Sequence, residues 1–171
     1  MSPESKSSAP VLGRSEIEIA APPELVWEVL TTIDRWPDWN PAVKKVSMPD
    51  GATEGSVFRW KAGPGTITST LQRVEPPRLI AWTGRTFGIN ADHVYTVEPR
   101  DGKTLVRTEE SYDGLVSRLF RGPLQKTLDQ ALAEGLRYLK AEAERRSTLS
   151  GSTRRPSHPA ERGRKAHDRQ K

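Results

Sequence analysis

Between Val26 and Val46 the chain reads VWEVLTTIDRWPDWNPAVKKV. Trp27, Trp36 and Trp39 fall within thirteen residues, and Pro37 and Pro41 interrupt any long helix. This predicts two short helices laid on something apolar, followed by a strand. The rest of the chain has to supply that apolar surface.

It does so mainly as strands. Ser15–Ala20 alternates strictly, with Ile17 and Ile19 on one face and Glu16 and Glu18 on the other, the pattern of a half-buried strand. Pro22 and Pro23 end it and open a helix, since the first helical amides need no intrahelical acceptor. Glu24 then sits in the first turn, and Val26, Val29, Leu30 and Ile33 follow at helical spacing. A second short helix is expected over Ile33–Trp39. Six more strands are predicted at Val43–Met48, Val57–Lys61, Thr66–Val74, Leu79–Thr83, Ala91–Val97 and Thr104–Ser111. Asp101-Gly102 between the last two is a hairpin signal.

The final element is a long helix, predicted from Pro123 to Arg146. Leu124, Leu128, Leu132, Leu136 and Leu139 form its apolar stripe. Strands joined by short turns imply an antiparallel sheet, and a striped helix is its natural cover. The expected class is α+β: a curved seven-stranded antiparallel sheet wrapped around the C-terminal helix, with two short helices after the first strand.

Residues 1–14 offer almost nothing to bury and are expected to be a disordered leader, with the folded domain over 15–146 and a basic disordered tail over 147–171. The formal charge of +5 belongs to that tail, which has seven Lys/Arg against two acids. Removing these from totals of 27 and 22 leaves the remainder with 20 of each. A neutral domain argues against specific nucleic-acid binding. The tail suits non-specific contact with anionic partners. There is no cysteine, which excludes disulfides and thiolate metal sites and suggests a cytoplasmic location. No run of 18 apolar residues occurs, so no membrane-spanning segment is expected. Nor does any ligand spacing point to a metal or cofactor.

Candidate site residues come from the inward strand faces. His93, the sole histidine before the tail, shares a face with Tyr95 and Val97. It can orient or protonate a ligand, or serve as a core histidine satisfied by a neighbour. Glu110 falls on the inward face with Val106 and Thr108, where it can act in proton transfer, or lies solvated at the strand end. Trp60, Trp82 and Tyr95 are mid-strand aromatics that suit either a pocket wall or core filling. Tyr112 is placed at a pocket mouth, and Leu128 and Leu132 face the pocket from the helix. Gly135 interrupts the stripe, leaving room for a ligand or for close packing.

Four separated segments resemble a known superfamily. They are APPELVWEVLTTIDRWPDWNP (21–41), EPPRLIAWTG (75–84), HVYTVEPRDGKTLVRTEES (93–111) and LAEGLRYLKAEAE (132–144). In this order they are similar to the START-like, or Bet v 1-like, superfamily, and within it to the polyketide cyclase/dehydrase-like (SRPBCC) group. The resemblance runs from about Glu16 to Arg146. It implies a helix-grip fold with a cavity between sheet and C-terminal helix. Members bind lipids, sterols, hormones, polyketides or flavonoids, and some are catalysts. Three functions follow as expectations. One is binding of a small hydrophobic or aromatic molecule. Another is a cyclase or dehydratase-like enzyme using His93 or Glu110 for proton transfer. The third is a lipid or quinone chaperone, with an exposed apolar patch expected near Trp36–Trp39.

Overall fold

The computed structural model describes residues 8–49, 51–63 and 65–152. Seven strands form one antiparallel sheet: β1 (Val11–Ile19), β2 (Val43–Ser47), β3 (Val57–Ala62), β4 (Gly65–Glu75), β5 (Leu79–Thr86), β6 (Ile89–Arg100) and β7 (Lys103–Asp113). Their order in the sheet is β1-β7-β6-β5-β4-β3-β2. The helices are α1 (Pro23–Thr31), α2 (Trp36–Trp39), α3 (Leu115–Leu119) and α4 (Arg121–Ser152), with a 3-10 turn at Ile33–Arg35.

The position of the tryptophan-rich stretch follows from this order. β1 and β2 are opposite edges, separated by six strand spacings of about 4.8 Å, or about 29 Å. The segment joining them must cross the width of the sheet. Val26, Val29, Leu30, Ile33 and Trp36 are buried along that crossing. Trp36 fixes the bend by donating Nε1–H to the Leu30 carbonyl at 2.9 Å. Its ring meets Phe58, Trp60 and Trp82 at centroid distances of 5.7–5.8 Å. Trp27 and Trp39 pack against the same core.

Helix α4 lies over β1. At Gly13 an added Cβ would fall 2.9 Å from both Leu128 Cγ and Leu132 Cδ1, so the glycine is what lets the helix approach. The edge of β1 is also closed by helix side chains. Gln125 bonds both the amide and the carbonyl of Leu12, Lys140 donates to the Glu18 carbonyl, and Glu144 accepts from the Ala20 amide. These contacts satisfy main-chain groups that an edge strand would otherwise expose. Register shifts after Val43 and after Leu71 mark bulges that help bend the sheet.

Several sequence boundaries move. β1 begins at Val11, inside the expected leader, because Val11 and Gly13 are buried beneath α4. Residues 1–7 and 153–171 lie outside the described residues. α4 starts at Arg121 and runs to Ser152, about 48 Å at 1.5 Å per residue, against the Pro123–Arg146 predicted. β4 to β7 are longer than expected, since ladder pairing carries them past their apolar cores. α3 has no counterpart among the predicted elements.

Candidate functional site

The Asp101-Gly102 turn sets the geometry of the interior. Both residues are left-handed, at φ 49° and 76°, which closes the hairpin in two residues and pairs Arg100 with Lys103. Counting back along the ladder sets His93 opposite Glu110 and Tyr95 opposite Thr108. The β5–β6 hairpin sets Trp82 opposite His93.

Side chains follow that register. His93 is buried, with Nε2 2.7 Å from Thr108 Oγ1 and Nδ1 3.4 Å from Glu110 Oε2. A carboxylate beside Nδ1 favours the tautomer that carries its proton there, leaving Nε2 to accept from the Thr108 hydroxyl. The imidazole stacks on Tyr95 at 4.7 Å and against Trp82 at 4.6 Å. Burial pushes the Tyr95 phenol well above its usual value; the Glu110 charge raises it further, and Thr108 offsets part of this. Tyr112 is raised likewise, by burial and then by Glu110. Both phenols are therefore neutral hydrogen-bonding groups at physiological pH. Glu110, His93, Thr108 and Tyr95 thus form a connected polar string on the inner face.

The surroundings of that string are apolar but divided. The larger cluster runs from α1 through Trp82 to Leu136, Leu139 and Ala143. A smaller one holds Val11, Leu128 and Leu132, with Tyr112 and Leu124 against it. On β1 the partner of Glu110 is Gly13, so no side chain shields the carboxylate from that strand. Glu110 has 14 % of its side chain exposed, and among the described residues His93 is the one ion-pair partner it has. Above the string, Gly135 of α4 would place a Cβ 3.9 Å from the Tyr95 hydroxyl, ordinary contact distance.

The remaining candidates divide between these environments. Trp82 is buried at the centre of the aromatic cluster, touching Trp36, Phe58, His93 and Tyr95. Trp60 is partly buried and donates Nε1–H to Ser69 Oγ at 3.1 Å. Leu128 and Leu132 are buried against β1, in the smaller cluster with Tyr112. Sequence reasoning left the site without Thr108 and Gly13. The two-residue turn carried the signal for Thr108, because it fixes which residues face His93 and Tyr95.

A separate groove of about 560 Å³ opens between α1, α2 and α4. Its charges are already paired: Arg35 with Asp38, Arg145 and Arg146 with Glu142, and Arg146 with Glu28. It reads as an ion-pair lattice joining the helices. Among the described residues no three metal-ligating side chains come together, and no helix is long and apolar enough to cross a membrane.

A curved antiparallel sheet gripping one long helix, with two short helices after the first strand, defines a helix-grip protein. Residues 12–144 match the family described as polyketide cyclase / dehydrase and lipid transport, and the chain belongs to that SRPBCC family. No curated protein matches the sequence. Among solved structures, the chain is similar to a hypothetical protein from Helicobacter pylori, with TM-score 0.73, 15% identity, and 81% and 90% of the two chains covered. It is similar to the Zhui aromatase/cyclase from Streptomyces sp. R1128, with TM-score 0.68, 21% identity and coverage of 82% and 97%. A START superfamily protein from Mycobacterium smegmatis gives 0.62, 17%, and 81% and 98%. At these identities the likeness is one of fold.

Proposed function

We propose that the protein binds a small hydrophobic or aromatic molecule between the inner face of the sheet and α4, with the polar end of the ligand at the Glu110–His93 pair. The observation that carries this reading is the polar string Glu110–His93–Thr108–Tyr95, set between two apolar clusters and beneath the bare backbone of Gly135. A mostly apolar site with a few convergent polar groups is what recognition of such a molecule requires. Apolar burial at about 25 cal/mol per Å² would drive binding, and the polar groups would set orientation. Membership of a family whose description includes lipid transport supports the same class of ligand.

The Glu110–His93 pair favours a second reading, a cyclase or dehydratase-like enzyme. There the imidazole takes a proton from substrate at one nitrogen while Glu110 stabilises the cation formed. The structural likeness to an aromatase/cyclase is compatible with this. The lipid or quinone chaperone reading needs an exposed apolar rim. Trp36 is buried and Trp39 packs against the core, so the rim expected there is replaced by apolar exposure elsewhere, at Phe87 and α3.

Native mass spectrometry of protein purified from its own host tests the binding reading; a copurifying apolar molecule lost in Gly135→Leu, with circular dichroism unchanged, supports it. Protein that carries no such molecule, and whose tryptophan emission is unmoved by a panel of lipids and polyketides, would argue against it. With a substrate in hand, His93→Ala and Glu110→Gln that abolish turnover but spare binding select the enzyme.

A further inference from the structure

We propose that Phe87 and α3 form a docking rim for the surface of an anionic phospholipid bilayer. Among the described residues six large apolar side chains are exposed, and four of them belong to this region: Phe87 (72 % exposed), Leu115 (71 %), Leu119 (69 %) and Phe120 (57 %). They form one place in the fold. The β5–β6 tip is packed on the start of α3, with Val116 Cγ2 3.5 Å from the Cβ position of Gly88. A Cβ at Gly114 would lie only 2.3 Å from the Gly88 carbonyl oxygen. Phe87 itself is held at φ 42°, a conformation disfavoured for a bulky residue, with its ring over Gly65. A backbone that holds an aromatic side chain outward at a steric cost, beside three more exposed apolar groups, points to a surface that is covered in use.

Charge identifies the cover. Arg85, Arg118, Arg121 and Lys126 are exposed in the segments that flank the rim. Asp113 offsets Arg118 at 3.6 Å, whereas Arg85, Arg121 and Lys126 have no ion pair among the described residues. A basic border around apolar side chains complements an anionic headgroup layer over hydrocarbon. The same border makes a second copy of this chain a poor partner, because like charges would meet. The exposed Arg85, Arg121 and Lys126 supply the second, electrostatic signal that stable surface attachment needs besides a small apolar insertion. The inference is independent of what the interior binds.

Cosedimentation of the full chain with vesicles tests it, using phosphatidylcholine alone and phosphatidylcholine with about 30 % phosphatidylglycerol. Partitioning should be at least about tenfold higher on the anionic vesicles and should fall when salt is raised. Leu119→Ser/Phe120→Ser should reduce it about tenfold with circular dichroism unchanged. Arg121→Glu/Lys126→Glu should reduce it too, while Leu149→Ser, an exposed apolar position far along α4, should not. Equal partitioning on both vesicles overturns the proposal, as does wild-type partitioning by both rim variants. Concentration-dependent dimerisation abolished by the Leu119/Phe120 variant also overturns it and makes the rim a self-interface.

Discussion

Glu110 and His93 are direct cross-strand partners, and their side chains meet inside the sheet with Oε2 3.4 Å from Nδ1. On its other side the ring is held by Thr108 at 2.7 Å. The proton of the neutral imidazole should therefore reside on Nδ1. Nitrogen-15 spectra of labelled protein with the imidazole neutral should show this tautomer. Glu110→Gln should shift the population towards Nε2–H, and an unchanged spectrum would mean that the carboxylate does not act on the ring.

Gly135 separates two readings of the space above Tyr95. An alanine there meets only the Tyr95 hydroxyl, at ordinary contact distance. Gly135→Ala should therefore stabilise the fold by about 0.5–1 kcal/mol, measured by urea unfolding. Gly135→Leu should remove ligand binding while leaving the far-ultraviolet circular dichroism unchanged, if the ligand occupies that space.

Gly13 should behave in the opposite way. Its missing side chain is filled by Leu128 and Leu132 at distances no Cβ tolerates. Gly13→Ala should cost about 1–3 kcal/mol through overpacking. Pairing it with Leu132→Ala should recover part of the loss, a coupling that a double-mutant cycle reads directly.

Glu142 links acid stability to the α1–α4 contact. Hydrogen bonds from Arg145, then Arg146, hold its carboxyl down to about 2, from 4.5. A lowered folded-state value stabilises the protein above the unfolded value, and that stabilisation is lost as pH falls from about 4.5 towards 2. Tm of the parent should exceed that of Glu142→Gln at pH 6, and the gap should close by about pH 2. A constant gap would assign the effect to packing.

Trp82 is the hub of the aromatic cluster. Trp82→Ala should cost about 3–5 kcal/mol. Trp82→Phe should retain most of the stability yet perturb the His93 ring, which lies 4.6 Å away, visible as a changed imidazole proton shift.

Much of this was legible in the linear sequence. Alternation in SEIEIA and helical spacing in the stripe from Leu124 to Leu139 determined which faces turn inward, because these periods are local properties of strand and helix. The Asp101-Gly102 turn even encodes the His93–Glu110 pairing, since a two-residue hairpin permits one register. What only the tertiary structure decided depends on partners distant in sequence. Val11 and Gly13 have no strand signature of their own beyond the SEIEIA pattern; they join β1 because α4, more than a hundred residues later, covers them. The short α3 lacks the length for a clear periodic signal and exists by packing against β6, β7 and α4. Exposure of Phe87, Leu119 and Phe120 was likewise unreadable, because an apolar letter does not say whether anything in the fold reaches it.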